Sequence, residues 1–329
     1  MHALTPSPDL VGRFRADLEA LGPPVDRLGL AVSGGPDSLA LLLLAAAAFP
    51  GRVAAATVDH GLRAASGWEA LHVEDVCNRL GCAHSILSVQ VPGGPAGLQG
   101  EARGVRYAAL ADWARAERIE MLATGHHLDD QAETLLMRLA RGSGVAGLGG
   151  IRPVRSTEGL TIVRPLLGWT KAELIHLVAR AGIEPVDDRS NRDARFDRTA
   201  ARRLIATQSF LDPARLARTA GAARDAEDAL DWAAAQLLEN RLTTQGGEWR
   251  LDPSELPAEF KRRLLVRVIA EVRAEHGLSV AITSGPEQDR MLAVLEDGGT
   301  ATLADVLARG GPNWLFRLAP PRRKVLRSL

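Results

Sequence analysis

The chain has 329 residues, enough for two domains of ordinary size, which excludes a peptide or a single small module. Hydrophobic residues make up 46% of the chain and charged residues 24%, a balance that excludes a disordered protein. The 40 basic residues equal the 40 acidic ones, so a surface that binds nucleic acid has to be local.

The sequence also predicts a cytoplasmic location. Residues 1–10 carry no apolar stretch after a basic start, which argues against a secretory signal. The longest apolar run, residues 39–49, is shorter than the roughly 18 residues that span a bilayer. The two cysteines, Cys77 and Cys82, lack the spacing of a metal site and predict buried free thiols.

Short apolar runs alternate with longer amphipathic stretches over the first half of the chain. The predicted strands are residues 28–32, 53–58, 85–89 and 121–124, and the helices that follow them cover residues 36–44, 68–80, 101–115 and 128–139. This alternation is typical of an α/β domain with a doubly wound, mostly parallel sheet and helices on both faces. Such sheets bind ligands beyond the carboxyl ends of their strands.

A second domain is predicted from a change of pattern near residue 206. Helical periodicity then dominates, with predicted helices at residues 213–238 and 259–276. We therefore expect an α/β domain over residues 1–205 and a smaller, mainly helical domain over residues 206–329.

The segment after the first predicted strand has the composition of an anion site. Ser33-Gly34-Gly35 leads directly into a helix, and the first backbone N–H groups of a helix carry partial positive charge. The glycines allow the backbone to close around phosphate oxygens, Pro36 suits a helix start, and the hydroxyl groups of Ser33 and Ser38 can donate hydrogen bonds. A tight turn before a capped helix is the structural alternative.

Asp37 extends this prediction to a metal. A carboxylate beside phosphates is repulsive unless a cation lies between them, so Asp37 implies Mg²⁺. The segment lacks the Gly-Lys-Ser/Thr of a Walker A loop and the GxGxxG of a dinucleotide site.

Ser33-Gly-Gly-Pro-Asp-Ser38 resembles the SGGxDS pyrophosphate loop of the N-type ATP pyrophosphatases. Further segments resemble the bacterial tRNA(Ile)-lysidine synthetases within that superfamily: VDHGLR at residues 58–63, HHLDDQAET at 126–134, RGSG at 141–144 and RPLL at 164–167. The resemblance runs from about residue 28 to residue 202. The loop alone identifies only the superfamily, whereas HHxDDQAET together with RGSG is typical of a much smaller group of proteins within it.

The resemblance implies a set of site residues. The ATP site would comprise the loop and the residues after the second strand: Ser33, Gly34, Gly35, Pro36, Asp37, Ser38, Asp59, His60 and Arg63. Asp37 would also hold Mg²⁺. The expected catalytic residues are Asp37, Arg106, Asp130 and Glu133.

Asp130 and Glu133 would recognise the lysine, since residues three apart on a helix share a face and two carboxylates can converge on one ammonium. Arg106 would lie near the same pocket, with Arg103 as its neighbour. Acidic residues in a first helical turn also suit the helix dipole, and arginines on an amphipathic helix are often only surface residues, so structural alternatives stay open for these residues.

The activity implied by the resemblance replaces the 2-oxo group of the wobble cytidine in the CAU anticodon of tRNA(Ile) by lysine, after ATP has adenylated that oxygen. The expected ligands are ATP, Mg²⁺, L-lysine and tRNA(Ile), and the helical domain would bind the tRNA. The base that deprotonates the lysine amine stays open between a carboxylate near Asp130 and His60.

Two departures from the family pattern occur in its DPSN and FxRNxxR segments, where Arg189 replaces proline and Thr199 replaces asparagine. They leave Asn191, Arg198 and Arg202 as candidates for tRNA or lysine contacts. Three alternative functions stay open: a tRNA thiolase, which needs reactive cysteines or an iron–sulfur site; an ATP pyrophosphatase for a small molecule; and a nucleotide-binding regulatory module without catalysis.

Overall fold

The computed structural model describes residues 4–59, 66–90, 97–157, 159–186, 197–279 and 285–320. The chain divides into two compact units, Met1–Arg224 and Asp225–Leu329. The helix α9 (Pro213–Arg241) begins after the predicted boundary at residue 206 and continues across this division.

The first unit contains a six-stranded sheet, and the predicted doubly wound, mostly parallel arrangement is confirmed. Its strands are β1 (Leu28–Ala31), β2 (Val53–Asp59), β3 (Ala83–Ser88), β4 (Met121–Thr124), β5 (Val154–Thr157) and β6 (Leu160–Val163). The spatial order is β3-β2-β1-β4-β6-β5, with only the edge strand β5 antiparallel to its neighbour. The strand order therefore reverses at β1, between β2 and β4, where open α/β sheets bind their ligands.

In the described ranges, the helices of the first unit before α9 are α1 (Pro8–Glu19), α2 (Pro36–Ala48), α3 (Ser66–Leu80), α4 (Gly97–Ala116), α5 (Leu128–Ala140), α6 (Val145–Leu148), α7 (Lys171–Arg180) and α8 (Asp197–Thr207). The four helices predicted between residues 36 and 139 are present. The sequence pattern did not predict α1, α6, α7, α8 or the hairpin of β5 and β6.

Alternation along β1 shows why helices cover both faces of the sheet. Leu28 and Leu30 are buried in the core that contains α2, which is apolar on nearly all sides. Gly29 faces the opposite core, where a Cβ atom on it would lie 2.7 Å from the Cγ2 atom of Ile119 and 3.3 Å from the ring of Trp113. The lack of a side chain at Gly29 therefore allows α4 to pack closely on that face.

The second unit has its own core and its own sheet. The strands β7 (Leu242–Gln245), β8 (Glu248–Leu251), β9 (Thr300–Leu303), β10 (Val306–Arg309) and β11 (Trp314–Leu318) form an antiparallel sheet of order β7-β8-β11-β10-β9. The helices α10 (Ala258–Glu275) and α11 (Gly285–Glu296) pack against it. The helices predicted here are present, whereas the sheet was not predicted, because strands of four or five residues give little periodic signal.

No helix in the described ranges has both the length and the apolar content needed to cross a membrane.

Candidate active site

The loop between β1 and α2 is a closed, glycine-dependent turn. Gly34 adopts a φ of +82°, and a Cβ atom there would also lie 2.8 Å from the Cγ2 atom of Val186. The backbone N–H of Ser33 donates to Oγ of Ser38 at 3.1 Å, and that hydroxyl donates to the carbonyl oxygen of Gly35 at 3.0 Å. The Ser38 hydroxyl therefore donates its hydrogen bond within the loop.

Three helix N-termini converge beside this loop. The N–H of Leu128, the first residue of α5, donates to the carbonyl oxygen of Trp169 at 2.9 Å, and the N–H of Lys171, the first residue of α7, donates to Oδ2 of Asp129 at 2.8 Å. A Cβ atom on Gly125 would lie 3.0 Å from the backbone of Asp37 near the start of α2. The positive ends of α2, α5 and α7 therefore favour an anion at this edge of the sheet.

A buried histidine lies among three carboxylates in this region. The ring nitrogens of His127 lie 3.6 Å from carboxylate oxygens of Asp37, Asp129 and Asp130. Burial acts to lower the pKa of His127, but the nearby carboxylates of Asp129, Asp37 and Asp130 favour the charged ring and raise the pKa to about 9. The imidazole is therefore a cation at neutral pH and balances part of the local negative charge.

Asp37 also pairs with a second cation, the ammonium group of Lys171. Both of its carboxylate oxygens accept hydrogen bonds from Nζ of Lys171, at 2.7 and 2.6 Å. Burial acts to raise the pKa of Asp37, but the hydrogen bonds and positive charges of His127 and Lys171 outweigh it and lower the pKa. Lys171 is a site residue that the sequence analysis missed. The available signal was a lysine at a helix start, where the dipole disfavours a cation, in a chain with only three lysines.

The neighbouring histidine, His126, is neutral where His127 is charged. Burial lowers the pKa of His126, Asp130 acts to raise it, and the positive charges of Arg164, Arg198 and Arg106 also lower it, with a net pKa of about 4. One ring nitrogen of His126 lies 2.8 Å from the hydroxyl of Thr124. His126 is therefore neutral and His127 cationic at neutral pH, although the two are adjacent in sequence.

Arginines from α8 contact both carboxylates that were predicted to bind lysine, Asp130 and Glu133. Glu133 is buried, and its oxygens lie 2.9 Å from Nε of Arg198 and 2.7 Å from Nε of Arg202. Nη2 of Arg198 also lies 3.6 Å from Oδ1 of Asp130. The other oxygen of Asp130 accepts a hydrogen bond from the backbone N–H of His127 at 3.0 Å. Asp197, the first residue of α8, pairs with Arg141 of the RGSG segment.

A group of arginines surrounds Tyr107 on α4. The guanidinium carbons of Arg103 and Arg106 lie 5.1 and 5.3 Å from the centre of the tyrosine ring. Arg164, which is buried directly after β6, adds a third positive charge that acts on Tyr107. Burial acts to raise the pKa of Tyr107, but these three positive charges lower it overall. Arg106 therefore lies in a local basic region whose charge also reaches His126.

Some of the predicted site residues are not tested by the described coordinates. Asp59 is the last residue of β2, a strand paired in parallel with β1, so it lies at the same sheet edge as the loop. The positions of His60, Arg63, Arg189 and Asn191 fall outside the described residues.

The two cysteines are free and buried, as predicted. Cys77 and Cys82 both belong to the main core of the first unit. Burial raises the pKa of both thiols, that of Cys77 to about 12 with help from Cys82 and Glu74. Thiols of this kind are inert as nucleophiles and as metal ligands.

The carboxylate oxygen of Asp37 is a suitable Mg²⁺ ligand, because Mg²⁺ in nucleotide sites is usually held by one or two carboxylates together with phosphate oxygens. Among the described residues, no group of three or more histidine, cysteine or acidic side chains is arranged to hold a metal.

Comparisons with known proteins agree with this geometry. A family model described as a PP-loop domain matches residues 13–209. The tRNA(Ile)-lysidine synthase of Novosphingobium aromaticivorans is 45% identical over 317 residues, covering 94% of this chain and 94% of that protein. The tRNA(Ile)-lysidine synthase of Zymomonas mobilis is 42% identical over 305 residues, covering 91% of each.

Among solved structures, the U34-tRNA thiolase NcsA of Methanococcus maripaludis has a similar fold, with a TM-score of 0.51 and 18% identity over 64% of this chain and 76% of that chain. At this identity the likeness concerns the fold alone.

Proposed function

This chain belongs to the tRNA(Ile)-lysidine synthase family, and we propose that it joins L-lysine to C2 of the wobble cytidine in the CAU anticodon of tRNA(Ile), converting ATP to AMP and pyrophosphate. The observation that carries the proposal is the apposition, at one sheet edge, of the phosphate loop with the carboxylates of α5. His127 connects the two, with one ring nitrogen 3.6 Å from both Asp37 and Asp130. An anion site beside a cation site matches substrates that are a nucleotide and a lysine.

The reaction proceeds in two steps. The O2 atom of the cytidine attacks the α-phosphorus of ATP, and the bond to the leaving pyrophosphate breaks. The lysine ε-ammonium gives up a proton, the free amine attacks C2, and AMP leaves with the former O2 atom. Adenylation is needed because the unmodified O2 is a poor leaving group, and positioning of the amine supplies much of the rate.

The phosphates of ATP would bind to backbone N–H groups of the loop and the start of α2, those of Gly34, Gly35, Asp37 and Ser38, because Pro36 has no N–H and the N–H of Ser33 donates to Ser38. Asp37 would hold Mg²⁺ together with phosphate oxygens, and the metal would neutralise charge on the leaving pyrophosphate. Asp59 would contact the nucleotide from the end of β2, together with His60 and Arg63.

The lysine would bind between α5 and α8. In this proposal Asp130 and Glu133 receive the ammonium groups, while Arg198 and Arg202, which pair with Glu133 in the structure, offer guanidinium groups to the α-carboxylate. When lysine binds, Glu133 would exchange its arginine partners for an ammonium group, and the arginines would exchange Glu133 for the α-carboxylate. Each of these charges would therefore stay paired. Arg106 would contact the substrates from α4.

The tRNA would approach from the basic side of the site. Arg103, Arg106 and Arg164 cluster around Tyr107, and the charge of Arg155 also acts on Arg164. A local cluster of this kind can pair with phosphates in a chain whose net charge is zero. The proposal also assigns tRNA binding to the C-terminal domain, residues 206–329, where Trp232 is 69% exposed and can stack on a base. Action on tRNA would place the enzyme in the cytoplasm.

Lysine incorporation tests the proposal. Purified protein is incubated with Mg-ATP, labelled lysine and tRNA(Ile) bearing CAU, and methionine tRNA with the same anticodon serves as the substrate control. We expect ATP-dependent label in tRNA(Ile) and a loss of at least about 100-fold in Asp130→Asn, whose neutral amide cannot hold an ammonium by charge. Asp112→Asn is the matched control, since Asp112 forms only an exposed pair with Arg115.

Release of AMP with another acceptor, and no label in tRNA, would overturn the lysine assignment and leave an ATP pyrophosphatase. Binding of ATP without pyrophosphate release under any combination of substrates would identify a regulatory module.

A further inference from the structure

The ion pair of Lys171 with Asp37 links two elements that are distant in sequence, separated by 134 residues. Lys171 is the first residue of α7, and Asp37 is the second residue of α2. Nζ of Lys171 lies 2.7 and 2.6 Å from the two carboxylate oxygens, and its side chain is 35% exposed. Because Asp37 is part of the phosphate loop, the ammonium lies at the mouth of that loop.

The positive charge of Lys171 is disfavoured by the helix dipoles around it. The positive ends of α2, α5 and α7 meet here, and each disfavours a cation. The structure compensates with carboxylates: Asp37 accepts the ammonium, and Asp129 accepts the backbone N–H of Lys171 at 2.8 Å. A cation retained against three helix dipoles is costly unless a more highly charged anion binds beside it.

We propose that Lys171 is a pyrophosphate-binding residue, whose ammonium leaves Asp37 for the β- and γ-phosphate oxygens when the nucleotide occupies the loop. Its four-carbon stem allows a shift of a few ångströms without movement of α7. Asp37 holds the ammonium in place and, once released, becomes available to a metal. The inference deepens the proposed function, since pyrophosphate is the product released from ATP.

In the reaction the ammonium would stabilise negative charge that accumulates on the leaving pyrophosphate. A lysine acts on phosphates as a point charge, and its hydrogen bonds strengthen as the leaving group gains charge. Lys171 would then contribute to breaking the α–β phosphate linkage and not to contacts with lysine or cytidine.

The first test measures binding of inorganic pyrophosphate, without metal, by calorimetry to Asp37→Asn and to Asp37→Asn/Lys171→Met. Both variants lack the Asp37 charge, so the comparison isolates direct contact by the ammonium. We expect the double variant to bind pyrophosphate at least about tenfold more weakly than Asp37→Asn. Equal affinities would overturn the inference and leave Lys171 as a structural link between α7 and α2.

The second test uses the scarcity of lysine. The chain has three lysines, Lys171, Lys261 and Lys324, so acetylation by an amine-reactive ester can be followed at each site by mass spectrometry. We expect Lys171 to be acetylated faster in Asp37→Asn than in the wild type. Pyrophosphate should slow the acetylation of Lys171 in this variant by about fivefold or more. Lys261, paired with Glu296 at 2.8 Å in the second unit, is the internal control and should not respond to pyrophosphate. Acetylation of Lys171 at one rate with and without pyrophosphate would contradict the inference.

Neither test contains tRNA or lysine, so the outcomes separate this inference from the proposed function. Protection of Lys171 in a protein that fails to incorporate lysine would retain the inference for another ATP pyrophosphatase reaction. Lysine incorporation together with an unprotected Lys171 would overturn the inference alone. Thermal unfolding of each variant confirms that the compared proteins are folded.

Discussion

Arg202 binds both oxygens of Glu133, with Nε 2.7 Å from Oε1 and Nη2 3.3 Å from Oε2. Arg198 lies 2.9 Å from the same carboxylate, so two cations from α8 converge on one buried anion of α5. This arrangement attaches α8 to the sheet domain and holds two guanidinium groups next to Asp130.

Glu133→Gln should weaken the attachment of α8 to α5 and destabilise the fold. The amide leaves two neighbouring arginines without a buried counter-charge, and partial exposure of both arginines limits the cost to about 1–2 kcal/mol of unfolding free energy. Urea unfolding measures this change, and the KM for lysine should rise in the same variant. Asp197→Asn, which breaks the exposed pair with Arg141 at the start of α8, should change stability by less than about 0.5 kcal/mol. Equal stabilities of Glu133→Gln and wild type would contradict the role given to Glu133.

Gly125→Ala should impair nucleotide binding. The added Cβ atom would lie 3.0 Å from the backbone carbon and oxygen of Asp37 and 3.1 Å from the backbone nitrogen of Ser38, so the start of α2 would have to move. We expect about 1–3 kcal/mol of destabilisation and a roughly tenfold weaker affinity for ATP, measured by equilibrium dialysis. Gly12→Ala is the matched control, because nothing lies within 4 Å of its Cβ position in α1. That variant should bind ATP normally, and unaltered binding by Gly125→Ala would disprove the close approach.

His126 should make the protein sensitive to acid. Its pKa is about 4 when folded, against 6.5 as the ordinary value, so the unfolded chain binds the proton more tightly. Stability from the neutral imidazole is present above pH 6.5 and is lost as the pH falls toward 4, by at most about 3 kcal/mol. Between pH 7 and pH 4 the wild type should therefore lose more unfolding free energy than His126→Gln. His176→Gln, at an exposed position on α7, should follow the wild type.

The two cysteines should be dispensable for activity. Both thiols are buried, and a pKa of about 12 leaves Cys77 almost entirely protonated at neutral pH. Cys77→Ala/Cys82→Ala should keep lysine incorporation within about twofold while losing roughly 1–3 kcal/mol of stability through small cavities. A folded double variant without any activity would favour a thiol-dependent reaction such as that of a tRNA thiolase.

The sequence by itself determined the parts of this protein that depend on local pattern. The four strands and helices between residues 28 and 140 follow from runs of apolar residues and from helical periodicity, and the loop at Ser33 to Ser38 is identified by its own composition. These features are readable because each is fixed by neighbours within a few residues.

Only the tertiary structure decided which charges meet. Lys171 reaches Asp37 across 134 residues, and Arg202 reaches Glu133 across 69. The position of Lys171 at a helix start marks it as unusual, but no local pattern names the partner of Lys171 or of Arg202, since the pairing depends on how α7 and α8 pack against the sheet domain. The different charge states of His126 and His127 depend in part on the same packing. The arginines that act on His126 come from α4, α8 and the segment after β6, whereas the carboxylates around His127 are Asp129 and Asp130 of the adjoining α5 and Asp37 of α2.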